Sequence, residues 1–220
     1  MPYDIYYYLG KSNHACYRFQ RAIIAYENFK SAAKPSESEK LNIDHEISLC
    51  INGKKFVSNT KPLEAVEKKS LKQEIVYMAF NDLKSGSKIL FTPEDLKSGL
   101  DKKKNFQSTL FLSADKNTIY YSSYGDSGLN GKDIYKLTKL GNGNWSLPEN
   151  IIAVNTSFDE EFPFLSSNGK TLYFSSKGHN SMGGYDIFKC TWNESALIWS
   201  QPVNLGIPVN SPSNDIYYTE

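Results

Sequence analysis

The chain has 220 residues, of which 40% are hydrophobic, with 25 Lys+Arg against 24 Asp+Glu and a formal charge of +1. That length and apolar content support a packed core, and the near-neutral charge provides no global attraction to nucleic acid or an anionic membrane. No apolar run approaches the roughly 20 residues of a spanning helix. Met1-Pro2-Tyr3-Asp4 does not open a leader pattern, and Cys16, Cys50 and Cys190 are too scattered for a disulfide framework or a zinc site.

Residues 1–56 read as helical. Phe19, Ala22, Ile23, Tyr26 and Phe29 fall at i, i+3, i+4, i+7 and i+10, one stripe of an amphipathic helix, and the segment Ile5 to Leu9 is placed to pair with it. Pro35 breaks the chain. Ser36 and Glu39 have capping-box spacing for a third helix, whose Ile43, Ile47, Cys50 and Ile51 share a face and whose stop is read at Gly53. Leu9-Gly10, then Ala22, Tyr26 and Pro35, resembles a tetratricopeptide repeat, in which small residues let two helices approach and an aromatic fills the space between them. Where that family has a second aromatic, this chain has Asn13-His14. An ordinary helical cap on the following domain is the alternative. Residues 57–72, with Lys61, Pro62, Lys68, Lys69 and Lys72, read as a linker. Phe56 alone does not make the aromatic platform that single-stranded nucleic acid needs.

From residue 73 to 220 a strand pattern takes over and repeats. Leu112-Ser113-Ala114-Asp115-Lys116-Asn117-Thr118-Ile119-Tyr120-Tyr121-Ser122-Ser123 aligns with Leu165-Ser166-Ser167-Asn168-Gly169-Lys170-Thr171-Leu172-Tyr173-Phe174-Ser175-Ser176 at an offset of about 53 residues. In the same register Gly131-Lys132-Asp133-Ile134-Tyr135 lies on Gly184-Tyr185-Asp186-Ile187-Phe188. Trp145-Ser146-Leu147-Pro148 matches Trp199-Ser200-Gln201-Pro202 one residue later, and a third copy, cut short, is marked by Pro93-Glu94-Asp95-Leu96, which matches Pro148-Glu149-Asn150-Ile151. Each unit reads as four strands. The first ends at Leu165-Ser166, Asn168-Gly169 turns the hairpin with both residues suited to positive φ, Thr171 to Ser176 is second, and Asp186 to Cys190 third. Trp199 opens an outer strand that Pro202 ends, and Trp145 and Trp199 are expected to cover the apolar side.

This pattern resembles the WD40-like repeat of TolB-type propellers (PD40). The combination with a helical repeat is similar to envelope proteins of Bacteroidota-like bacteria, in which a propeller often precedes a peptidoglycan-binding domain of the outer-membrane-protein-A type. The resemblance implies an α+β chain in two parts: a helical TPR-like segment, then antiparallel all-β propeller blades. At about 54 residues per unit, 73–220 holds fewer than three of the four to eight blades a propeller uses. The expected propeller is therefore incomplete, part of a longer protein or completed by another chain, with open sheet edges. The resemblance further implies a non-enzymatic protein-binding scaffold, periplasmic and outer-membrane associated, linked to outer-membrane and peptidoglycan organisation or to type IX secretion. Protein partners are expected, no nucleic acid, no transmembrane segment in this chain, and peptidoglycan only through a domain absent from it.

The chemistry-bearing motifs are weak. Gly178-His179-Asn180-Ser181-Met182-Gly183 is one residue too long for a hydrolase nucleophile elbow, and a strand rather than a helix is expected after it. The turn Gly125-Asp126-Ser127-Gly128-Leu129-Asn130-Gly131 has a trace of a calcium loop, but the twelfth position is Leu137 instead of a bidentate glutamate. A weak cation site on Asp126 and Asp133 stays open beside a turn-stabilising role for Asp133 and Asp186. Ser113-Ala114-Asp115 lacks the later glycine of a sialidase Asp box. No catalytic residue and no cofactor is assigned. In an up-and-down blade the loop between strands two and three lies beside the link to the next blade. One face is therefore expected to carry Tyr124 to Lys132, Lys177 to Tyr185, and connectors near 101–105 and 155–161. The candidate partner-binding rim on it is Tyr124, Asp126, Asp159, Glu160, His179, Asn180 and Tyr185. Two alternatives are a regulatory or substrate-gating propeller of a peptidase-like enzyme whose catalytic domain lies outside this chain, and a carbohydrate-binding propeller using Tyr124 and His179.

Overall fold

The computed structural model describes residues 2–58, 60, 62, 64, 65, 67–80, 86–128 and 130–219, and of residues 73–75 and 78 the backbone alone. Lys61 of the expected linker and Leu129 of the glycine-rich turn lie outside the described residues. The protein is α+β, a helical N-terminal part followed by antiparallel sheets of ten strands among the described residues. No closed ring of sheets is formed by them. The chain packs as two compact units. One comprises Met1–Glu64, Asn180–Asp186 and Leu205–Asp215; the other comprises Ala65–His179, Ile187–Asn204 and Ile216–Glu220.

In the helical unit, α1 (Asp4–Ala15) and α2 (Phe19–Ala32) pack as a pair, and α2 also packs on α4 (Ile43–Val57). All five stripe residues of α2 are buried, with Tyr26 and Ala22 at 0% exposure. Two glycines permit this packing. A Cβ on Gly10 would overlap the Tyr26 ring, and one on Gly53 would overlap Phe19. Gly53 is therefore a close-approach residue inside α4 rather than the expected stop, and the helix runs on to Val57. α1 turns Tyr3, Tyr6 and Tyr7 toward the core, whereas Ile5 and Leu9 are exposed at 45% and 47%. The expected third helix is divided. Pro35 starts the short α3 (Pro35–Lys40), and Asn42, left-handed at φ 50°, separates it from α4. Ser36 lies inside α3 and is not a cap. On α4, Ile43 and Cys50 are fully buried, Ile47 packs against the core and Ile51 stays exposed.

Two later segments complete this core. Met182, at 0% exposure, and the partly buried Ile207 join the cluster around Phe19, Ile23 and Phe29. His14 donates from Nε2 to the Met182 carbonyl at 2.7 Å, and Asn52 donates to the Ser181 carbonyl at 3.0 Å. His14 thus carries an imidazole that holds a segment distant in the chain. Glu46 closes the polar side, accepting from Lys11 Nζ at 2.7 Å and Tyr26 Oη at 3.1 Å. Burial alone would raise its carboxyl, but the contacts to His14, Lys11 and Tyr26 outweigh it and hold the pKa at about 2.

In the strand-rich unit, the apolar run Gln73–Phe80 forms a 3₁₀-helix instead of a strand. Its Tyr77 packs on Phe91 and Phe80 stacks on Tyr217. The first sheet has the order β1 (Lys88–Phe91), β2 (Thr109–Leu112), β3 (Thr118–Ser123), β4 (Asp133–Thr138), β5 (Glu149–Asn150), all antiparallel; α5 (Gly99–Lys103) lies between β1 and β2. The second is built of β6 (Glu160–Leu165), β7 (Thr171–Ser176), β8 (Asp186–Asn193) and β10 (Val203–Asn204), with β9 (Ile198–Trp199) paired to the end of β8. The second strands, β3 and β7, match the expected repeat residue for residue. Pro163, which cannot donate to a ladder, sits at a bulge in β6 between Glu161 and Phe164, where Phe162 takes φ 57°. The outer edge differs from expectation. β8 runs three residues beyond Cys190, and Pro202 separates β9 from β10.

The two sheets meet through equivalent residues, Phe111 edge-on to Phe164 at 5.3 Å. Leu110, Ile119, Tyr121 and Leu137 form a cluster under Trp145, as expected of that tryptophan; Trp199 instead packs edge-on to Trp192 at 5.3 Å. The hairpin turns are also equivalent. Lys116 N–H donates to the Ser113 carbonyl and Gly169 N–H to the Ser166 carbonyl, each at 2.9 Å, a turn closed by one left-handed residue. Only Gly169 of the Asn168-Gly169 pair takes positive φ. Asn168 contributes through its side chain, accepting from Ser166 Oγ (2.5 Å) and Lys170 N–H (2.8 Å); Asp115 accepts likewise from Ser113 Oγ (2.5 Å) and Asn117 N–H (3.0 Å).

Two outcomes test this packing. Gly10→Ala should destabilise the protein by about 1–3 kcal/mol through overpacking against Tyr26, while Gly141→Ala, with open space around it, should leave the thermal midpoint unchanged. Because the Glu46 pKa is depressed in the fold, its contribution is present above its ordinary 4.5 and lost as pH falls through about 2. Glu46→Gln should therefore cost about 3 kcal/mol at pH 7, and denaturation titrations should show the difference shrinking below pH 4.5.

Candidate interaction face

At the end of β3 and β7 remote from the hairpin turns, each central strand is tied to an acidic residue earlier in the chain, Asp101 in α5 between β1 and β2 and Glu160 at the start of β6. Ser98 starts α5 with a reciprocal cap: its Oγ accepts from Asp101 N–H at 3.1 Å and Asp101 Oδ2 accepts from Ser98 N–H at 2.9 Å. The same carboxylate, 2% exposed, accepts from Ser123 Oγ at 2.5 Å and Tyr124 N–H at 2.8 Å. Ser123 Oγ in turn accepts from Gly125 N–H at 3.0 Å. The second sheet repeats the arrangement with a longer side chain. Glu160, at 0% exposure, accepts from Ser176 Oγ at 2.6 Å, and Ser176 Oγ accepts from Gly178 N–H at 2.8 Å. Thr156 adds two donors to Glu160, its N–H at 2.8 Å and its Oγ1 at 2.7 Å. Burial outweighs these bonds and pushes the Glu160 carboxyl up to about 7.

These ties gather the expected loops on one face of the strand-rich unit. Lys104 Nζ stands 3.9 Å over the Tyr124 ring, which meets Phe106 edge-on at 5.4 Å; Lys132 Nζ stands 4.9 Å from the Phe106 ring. Lys132 also pairs with Glu161, and its N–H donates to Asp159 Oδ1 at 3.1 Å. Lys177 Nζ reaches Asp159 Oδ2 at 2.8 Å. Burial opposes ionisation of Asp159, but the lysine contacts win and hold its pKa below the usual carboxylate range. His179 Nε2 meets the Val154 carbonyl at 2.8 Å, and its ring packs against Phe174 and Phe188, so burial holds its pKa below the usual histidine value.

Of the seven candidate rim residues, Tyr124, Asp126, Asp159, Glu160 and His179 belong to this unit, whereas Asn180 and Tyr185 belong to the helical unit. Asp126 is exposed at the tip of its turn. Glu160 cannot line an open rim, because the turn at Thr156 and the end of β7 enclose it. Tyr185 is 8% exposed, its N–H donating to Asn214 Oδ1 at 3.0 Å. Ser181, the decoy nucleophile, is 1% exposed and precedes β8. Asp133 Oδ2 accepts from Asn150 at 2.8 Å, and burial raises its pKa. No group of three or more His, Cys, Asp or Glu that could hold a metal ion occurs among the described residues. No helix of the described residues is long and apolar enough to cross a membrane.

Lys132 and Asp101 lie in segments expected on this face but not among its seven rim residues, and Phe106 lies outside those segments. The capping-box spacing from Ser98 was a legible signal for Asp101. Asp101 and Glu160 do not align, since one precedes its serine by 22 residues and the other by 16.

A folded-state pKa raised above the ordinary 4.5 stabilises the fold below 4.5 and loses that contribution as pH rises through about 7. Wild-type stability should therefore decline by about 3 kcal/mol across that window from this group alone. Glu160→Gln should flatten the decline and be at least as stable as wild type at pH 8, read by urea denaturation between pH 4 and 8.

No family model, no curated protein and no solved structure matches the chain.

Proposed function

We propose that the chain is a non-enzymatic binding scaffold of the bacterial cell envelope. In this reading its two sheets are blades of an incomplete WD40-like propeller, and its helices are a tetratricopeptide-like segment joined to them. The repeat reading is supported by the serine-centred hydrogen bonds that recur at both ends of β3 and β7, with Ser113, Asp115 and Ser123 matched by Ser166, Asn168 and Ser176. Protein binding is the assigned activity because the face at Tyr124 carries lysines over aromatic rings beside the exposed Asp126. Aromatic side chains and charged rims of this kind anchor protein partners.

The observation that carries the reading is the Lys104–Tyr124–Phe106–Lys132 stack. It is held in place by the buried Asp101 and therefore preorganised for a partner. The buried carboxyls of the face are engaged by serines, threonines and backbone N–H groups, so they act as ties for the loops. Periplasmic placement with association to the outer membrane belongs to the same proposal, as does a link to peptidoglycan organisation or type IX secretion.

The test is quantitative capture from envelope fractions with in-situ cross-linking. Wild-type protein should enrich one reproducible partner. Lys104→Glu and Tyr124→Ala should each reduce that enrichment about tenfold while leaving the thermal midpoint within a few degrees. Equal recovery by both variants, or no reproducible partner from any fraction, overturns the reading.

A further inference from the structure

At the opposite end of β3 and β7 lies a cleft of about 630 Å³, within the range of small-ligand sites. Its walls are the turns after β2 and β6, its floor is Phe111 and Tyr120, and Trp192 and Trp199 line it as well. We propose that this cleft binds a saccharide bearing a carboxylate, such as a uronate oligomer.

Three features of the lining point to that chemistry. The apolar part is aromatic: the partly exposed indoles of Trp192 and Trp199 offer flat surfaces suited to the C–H faces of sugar rings. The polar part is rich in unspent donors. Among the described residues, the Lys136 ammonium, the Asn168 amide nitrogen, the Ser167 hydroxyl and the Tyr120 hydroxyl have no protein hydrogen-bond partner, and all four residues line the cleft. Burial pushes the Tyr120 phenol above its usual range, so it remains a donor at neutral pH. A set of donors fits an oxygen-rich ligand.

The charged groups of the lining are Lys136 and Asp115. Lys136 is half-buried and forms no ion pair among the described residues, and Glu149 stands opposite it on the neighbouring strand β5. The one carboxylate in the lining, Asp115, is occupied by Ser113 and Asn117. A ligand carboxylate would pair with the uncommitted Lys136 ammonium, and the remaining donors would meet hydroxyl and ring oxygens. A peptide strand fits less well. The N–H and carbonyl groups of Ser113 and Ser166, in the turns forming the walls, are committed to closing those turns or pairing across them.

The test uses the full chain and follows intrinsic tryptophan fluorescence, because two of its 3 tryptophans line the cleft. The probes are trimers of galacturonate, glucuronate and mannuronate, with cellotriose as the neutral comparison. At least one uronate should give a saturable change with a Kd below about 1 mM, and cellotriose should bind about tenfold more weakly or not at all. Lys136→Gln and Trp199→Ala should each weaken uronate binding about tenfold, and Trp199→Phe, which keeps a ring face, should retain most of it. Absence of saturable binding by every uronate up to about 10 mM overturns the proposal. So does equal affinity for cellotriose, or binding that neither Lys136→Gln nor Trp199→Phe or Trp199→Ala alters. These readouts do not involve the Tyr124 face, so either reading can fail without the other.

Discussion

The buried bond from a serine hydroxyl to a carboxyl group is the constraint on which the strand-rich unit depends. Ser123 to Asp101 and Ser176 to Glu160 each bind the last residue of a central strand to the segment where the preceding strand is entered, α5 ahead of β2 or the start of β6. A carboxyl group taken out of water is costly unless its lone pairs are used. Asp101 meets this with donors from Ser98, Ser123 and Tyr124, and Glu160 with donors from Thr156 and Ser176. Once those bonds form, the connectors have little freedom, and the loops bearing Tyr124, Asp159 and His179 are placed by them. The raised pKa of Glu160 records how close that balance is.

The two ends of each central strand are thus built differently. At the hairpin end, serine pairs with Asp115 or Asn168 in a local turn, using residues two apart, and the result is an exposed, self-contained wall. At the other end, the serine reaches 22 or 16 residues back to an acidic side chain, and the result is a tie between segments. The hairpin end borders the Trp192–Trp199 cleft and the other end carries the Lys104–Tyr124 stack. Two chemically distinct surfaces therefore arise from one repeated strand.

The helical unit obeys a steric constraint instead. Gly10 and Gly53 are the points at which Tyr26 and Phe19 pack against neighbouring helices, and any side chain there would displace a fully or nearly fully buried aromatic. Its polar core residue, His14, serves a backbone carbonyl in a segment that follows more than 160 positions later in the chain, at Met182. Local helix formation and long-range assembly are consequently inseparable in this unit.

Sequence periodicity alone determined the α2 stripe, the β3 and β7 boundaries and the repeat of about 53 residues. These depend on side-chain spacing within one element or on identical residues in register. It also indicated that the loops after β3 and β7 would meet the connectors, because antiparallel hairpins return the chain to the same end. Tertiary packing decided what pattern could not carry. Ile75 to Phe80 has the composition of a strand, but Gln73–Phe80 is a 3₁₀-helix whose Tyr77 packs on Phe91 and whose Phe80 stacks on Tyr217. Gly53 looked like a helix stop and became a seat for Phe19. Asp101 and Glu160 were invisible as equivalents because their connectors differ in length. Their shared role exists only in space, where desolvation and a serine donor select the nearest carboxyl whatever its position in the chain.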